Sequence, residues 1–160
     1  MVPFKNLQEI ALILDNVNLS RVELERALVL CADQDIPMLA ALFCTSSVIG
    51  NYDNAGVLEA YHMAKDIIEN KINTPMEKHI ALSRLARALE TTPNRTEIAH
   101  SVAHTAEAAV ANTASSASGH AARSMEAAFR VNPELKVLAI DHLKNLVSER
   151  AQIQEGFINE

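Results

Sequence analysis

Residues 96–130 read TEIAHSVAHTAEAAVANTASSASGHAARSMEAAFR, and this stretch decides the fold. Ala99, Ala103, Ala106, Val110, Ala114, Ala117, Ala121 and Ala128 recur at steps of three, four and once seven, which places them in one seam along a helix. Almost nothing large lines that seam. Such a surface gains little from transfer of bulky side chains, so its stabilisation must come from close packing against larger residues of neighbouring helices. The expectation is an all-α fold: a multi-helix bundle of about seven helices around an Ala-rich central helix or helix pair. Ser and Gly weaken a helix interior, so the Ala-Ser-Ser-Ala-Ser-Gly run at 114–119 is where a break is as expected as continuity.

Working outward, helix starts are marked by short polar signals. Ser20-Arg21-Val22-Glu23 reads as a capping box, and Thr74-Pro75-Met76-Glu77 repeats it with proline at the first helical position. Thr92-Pro93 and Asn132-Pro133 are starts of the same kind, with Asn94 a competing cap in the first. Pro37 is expected to stop or kink whatever begins at Ser20, because a proline inside a helix removes a hydrogen bond and crowds the preceding turn. These signals predict helices near 5–14, 20–33, 36–47, 54–72, 75–90, 95–131 and 133–155. A loop is expected at 50–54 and fraying after Gly156. No segment alternates with period two for long enough to form a strand.

Helical phase predicts the buried faces. They are Val57, Leu58, Tyr61, Ala64, Ile68 and Ile72 in 54–72; Leu82, Leu85, Ala86 and Leu89 in 75–90; and Leu135, Leu138, Ala139, Leu143, Leu146 and Ile153 in 133–155.

Composition bounds the function. At 160 residues the chain suits a single all-helical domain over 1–160, and 49% hydrophobic residues suffice for a core although aromatics are only 4% and Trp is absent. Fourteen Lys and Arg against twenty Asp and Glu, a net charge of −6, speak against nucleic acid as a partner, since phosphate binding needs concentrated positive charge. The early apolar run Ile10–Leu14 is far short of the roughly 20 residues of a membrane span and lacks the flanks of a secretory signal. Cys31 and Cys44 fit no metal-ligand spacing and read as reduced core thiols. The expected compartment is the cytoplasm, and no membrane partner is expected.

The candidate chemistry is sparse. Glu97, His100, His104 and Glu107 fall in one band of the Ala-rich helix, so a metal could see several at once, and Glu59-Ala60-Tyr61-His62 adds a second Glu-x-x-His like those of di-iron bundles. Against this, Glu59 lies opposite the apolar stripe of its own helix, His62 lies off that stripe, and the first band flanks the Ala seam. A solvated face with local ion pairs is therefore the main reading and metal binding the minor one. His142, at the centre of its apolar stripe, is expected in the core and hence acid-sensitive; His120 could line a pocket if the helix opens at Gly119. No phosphate loop, nucleophile elbow, paired Cys motif or His-Glu-x-x-His is found. No residue is assigned a catalytic, cofactor-binding or metal-ligating role, and no cofactor is expected.

The run Ala106-Glu107-Ala108-Ala109-Val110-Ala111-Asn112-Thr113-Ala114, continued by Gly119-His120-Ala121-Ala122 and preceded by several amphipathic helices, resembles a family of immunity proteins that accompany bacterial polymorphic toxins. The earlier segment Ala27-Leu28-Val29-Leu30-Cys31-Ala32-Asp33 is also similar to that family. Its histidines do not fall at His100, His104 or His120 when the alanines are aligned, so no functional residue is carried over. The resemblance implies an all-helical protein that binds and blocks a protein partner without catalysis of its own. The expected function is thus a non-catalytic interaction protein, with self-association possible through small-residue faces; the alternative is a metal-dependent helical-bundle enzyme using the Glu-x-x-His pairs.

Overall fold

A computed structural model describes residues 1–50, 52–70, 74–92 and 96–159, with side chains through Ala151. Among the described residues a short 3-10 turn, Phe4–Asn6, leads into eight α-helices, with no strand: α1 (Leu7–Leu14), α2 (Arg21–Leu30), α3 (Asp35–Ile49), α4 (Ala55–Asn70), α5 (Met76–Thr91), α6 (Glu97–Ala109), α7 (Ala114–Val131) and α8 (Leu135–Asn159).

The expected 95–131 helix is two helices, broken at 110–113 and not in the Ser/Gly run. Thr113 takes extended backbone and its side chain accepts from the Ser116 amide, capping α7. Ser118 and Gly119 lie inside α7; the Ser118 hydroxyl bonds back to the Ala114 carbonyl. Thr96 caps α6 by accepting from the Ala99 amide, while the expected starts at Pro93 and Asn94 lie outside the described residues. Ser20 caps α2 through the Glu23 amide as expected. Pro75 stands in extended backbone just before α5 and not within its first turn.

Pro37 corrects a second expectation. It sits in the first turn of α3, where a missing N–H costs nothing. What ends α2 is the Cys31–Ala32 turn, with Ala32 at φ 48°, the left-handed region that L-residues avoid. Gly50 closes α3 at φ 40°, within the predicted loop; Asn51 lies outside the described residues.

The helices enclose two apolar clusters. One gathers Ile10, Leu24, Leu28, Ile36, Met125 and Leu143 with their neighbours from α1, α2, α3, α7 and α8. The other gathers Ile49, Val57, Tyr61, Ile68, Leu82 and Val102 from α3, α4, α5 and α6. Helix α6 packs along α7; α2 and α3 lie on α7, α4 and α5 lie on α6, and α3 touches both. Alanines 99, 103, 106, 117, 121 and 128 are buried, as the seam predicts.

Where α3, α6 and α7 meet, four fully buried hydroxyls form a knot. Thr45 Oγ1 lies 2.9 Å from Ser101 Oγ, 2.7 Å from Thr105 Oγ1 and 3.2 Å from Ser124 Oγ. The Ser101 hydroxyl donates to the Ser124 carbonyl at 3.0 Å, and the Ser124 hydroxyl returns a bond to the Ser101 carbonyl at 2.9 Å. Thr105 donates to the Ser101 carbonyl, one turn back on its own helix. Each hydroxyl proton thus has an acceptor, the condition under which buried polar groups do not oppose folding. Small residues along α6 and α7 let the two backbones come close enough for these reciprocal bonds.

In α8 the buried face is Leu135, Ala139, Ile140, Leu143, Val147 and Ala151. Leu138, expected inside, is 61% exposed. The true stripe is rotated toward Ile140 and Val147, and the side chain of Ile153 lies outside the described residues. Ile72, at the end of the α4 stripe, lies outside them too.

Candidate functional site

The C-terminal end of α5, the middle of α6 and the first half of α7 bring three metal-ligating side chains together. Glu90 is in the last turn of α5, His104 on α6 between Ser101 and Thr105, and His120 on α7 beside Gly119. His104 Nδ1 lies 3.1 Å from His120 Nδ1 and 3.6 Å from Glu90 Oε1. The two imidazole rings stack with centroids 5.3 Å apart, and His100 places its ring edge-on to His104 at 4.4 Å. Two ring nitrogens at 3.1 Å suit a hydrogen bond whose direction is set by the tautomers of the two imidazoles.

His104 is only 6% exposed, with Glu90 and His120 half-buried. Burial corrects the expectation that the band from Glu97 to Glu107 is a solvated face: for His104 it is not. The cause is α7, which folds back after Thr113 and covers that side of α6. Glu107 is half-buried nearby, and its carboxyl is held above its ordinary pKa by loss of water and by the charge of Glu90, against the opposing pull of His120 and Arg87. Two carboxylates therefore repel one another beside the imidazole pair.

The other candidates scatter. Glu97 is exposed at the start of α6 and pairs with Arg130 at 3.6 Å, an ordinary surface contact. Glu59 and His62 are exposed on α4, the His62 ring tilted at 55° to that of Tyr61 with centroids 5.3 Å apart. Among the described residues, the ligand atoms that converge are those of Glu90, His104 and His120, and neither Glu-x-x-His pair contributes more than His100 beside them. His142 is half-buried, stacked on Phe43 at 4.2 Å and an interplanar angle of 12°, so the enclosure from which acid sensitivity was expected is not there. Its displacement from the core follows from the rotation of α8.

Helical phase alone does not join His104 to His120, and nothing in its own helix marks Glu90 as a ligand. A signal was present. The two histidines lie eight residues on either side of Asn112, and an Asn112-Thr113 turn and cap would make α6 and α7 an antiparallel hairpin with these positions opposed.

A second feature is apolar and exposed. Val17, in the α1–α2 turn, is 89% exposed and Val137, on α8, 67%. They line one groove with Leu14, Leu19 and Ile140, rimmed by Asp15 and Asp141 and by Lys136 and Lys144. Lys144 pairs with Asp15 at 2.6 Å, and Lys136 donates to the Leu19 carbonyl at 2.8 Å, tying the turn to α8.

Comparison with family models, curated proteins and solved structures finds no match to this chain. None of these comparisons bears on the resemblance to immunity proteins.

Proposed function

We propose that this chain is a non-catalytic helical protein that acts by binding another protein, of the toxin-neutralising kind its resemblance implies, with the close-packed α6–α7 pair as the centre of its bundle. The observation that carries the reading is the exposed groove of Val17 and Val137. Large apolar side chains left in water cost free energy unless they are covered, and an apolar floor with a charged rim is the usual anatomy of a protein interface. The rim holds both signs of charge, which suits a folded protein surface better than a uniformly charged polymer. Two buried, unpaired thiols fit a reducing compartment, the cytoplasm. No described helix is long and apolar enough to cross a membrane.

The alternative, an enzyme built on the two Glu-x-x-His pairs, draws little support from the geometry, because Glu59 and His62 lie exposed and Glu97 turns to Arg130.

The test is co-expression with the product of a toxin-like reading frame beside this gene. Wild type is expected to bind that product and protect growth. A Val17→Asp, Val137→Asp double variant is expected to bind at least about 10-fold more weakly, the loss of two buried apolar contacts, while keeping its helical content and thermal midpoint. Equal protection by the double variant overturns the groove as the binding face. A change confined to self-association assigns the groove to a second copy instead.

A further inference from the structure

We propose that Glu90, His104 and His120 form a binding site for a single first-row divalent transition-metal cation, with Zn2+ as the representative ion. This site is independent of the protein-binding reading and uses different residues.

The geometry is the first support. A zinc ion takes imidazole nitrogen at about 2.0–2.1 Å and carboxylate oxygen at about 2.0–2.2 Å, so neighbouring ligands of a tetrahedron stand about 3.3 Å apart. The His104–His120 and Glu90–His104 separations, 3.1 Å and 3.6 Å, bracket that edge length. All three ligand atoms lie within 4.8 Å of one another, so closing the last edge needs only a small turn of a half-buried side chain. Each ligand comes from a different helix, and His104 is flanked on α6 by Ser101 and Thr105 of the hydroxyl knot, so its backbone is fixed. Sites carried on packed helices keep their geometry better than sites on loops.

The chemistry of the three ligands is the second support. The donor set selects the class of ion. Two imidazoles with one carboxylate suit zinc and its first-row neighbours, whereas Mg2+ and Ca2+ prefer oxygen alone. Three protein ligands leave a fourth position for water or an incoming group.

The full-length protein, stripped of metal, is titrated with Co2+ and then Zn2+. One equivalent of Co2+ should raise visible d–d absorption of low-symmetry four-coordinate type, and Zn2+ should displace it; Mg2+ should do neither. His120→Ala and Glu90→Gln change half-buried residues, and each should weaken Co2+ binding by about 100-fold or more, beyond what loss of an outer-shell partner costs. His62→Ala, on exposed α4, should bind as wild type does. If His120→Ala fails to fold, Glu90→Gln alone carries the comparison. Absence of a saturable Co2+ spectrum in wild type, wild-type affinity in a folded Glu90→Gln variant, or loss of binding in His62→Ala overturns the site. Growth protection by a wild type that shows no saturable Co2+ binding would leave the protein-binding reading standing while removing this one.

Discussion

Gly119 lies inside α7, buried under α2, and replacing it with alanine sets two opposing effects against each other. A glycine in a helix interior is less favourable than alanine by about 0.8–1 kcal/mol, because it restricts nothing in the unfolded chain. Against that gain, the new methyl carbon would stand 3.0 Å from Glu25 Oε1, closer than an ordinary contact. The obstructing atom is the far end of a flexible side chain whose other oxygen pairs with Arg21 at 3.4 Å, so a shift of a few tenths of an ångström clears it. Such a shift costs a few tenths of a kcal/mol at most, given that the pair is partly exposed. Gly119→Ala should therefore stabilise the fold by about 0.5 kcal/mol or slightly more, raising the thermal midpoint by about 1–3 °C at this chain length. Urea and thermal denaturation followed by circular dichroism measure it. In a Glu25→Ala background nothing obstructs the methyl group, and the gain should approach the full propensity difference. Destabilisation by Gly119→Ala in both backgrounds would refute the reasoning, since it would mean that α7 cannot accept a methyl group there even with α2 cleared.

Three further outcomes follow from the same accounting. Ala32→Gly should stabilise by about 1 kcal/mol in equilibrium unfolding, because glycine adopts φ 48° without the clash that an L-residue meets; a loss of stability there would contradict the strained turn. Thr45→Val should cost only about 1 kcal/mol, since the Ser101, Thr105 and Ser124 protons keep their carbonyl acceptors when Thr45 Oγ1 is removed; a loss above about 3 kcal/mol would show that the knot depends on it. Burial, aided by Asp33, pushes the Cys31 thiol up to about 12, and burial does the same for Cys44. The folded state thus holds both thiol protons more tightly than the unfolded chain, so this contribution is complete below pH 9 and is lost as pH rises from 9 to 12. The urea midpoint should fall across that window, and iodoacetamide at pH 8 should label these thiols only through unfolding; labelling at the rate of a free thiol would contradict their burial.

What was legible in the sequence was local. The Ser20 cap and the Val57, Tyr61, Ala64 and Ile68 face of α4 each depend on residues within a few turns, and each stands in the structure. What was not legible depends on distant partners. The Ser/Gly run of α7 looked like a breaking point by propensity, yet small side chains are what let α2 and α6 approach there, and packing overrode propensity. Helix α8 carries two overlapping apolar stripes, one through Leu138 and one through Ile140 and Val147. Periodicity alone cannot choose between them, and the choice moved His142 out of the core. The meeting of Glu90, His104 and His120 required the α6–α7 hairpin turn at 110–113, which the seam concealed by continuing in phase through Val110 and Ala114.

The close approach of α6 and α7 through their alanines underlies the hydroxyl knot, the histidine pair and the two flanking cores alike. Ala106→Leu and Ala117→Leu, at fully buried positions, measured by urea denaturation beside Ala88→Leu at an exposed one, test it most directly. The expected result is a loss of about 1–3 kcal/mol at each buried alanine and almost none at Ala88. Unchanged midpoints for Ala106→Leu and Ala117→Leu would contradict the account, for they would show space between helices where none is allowed.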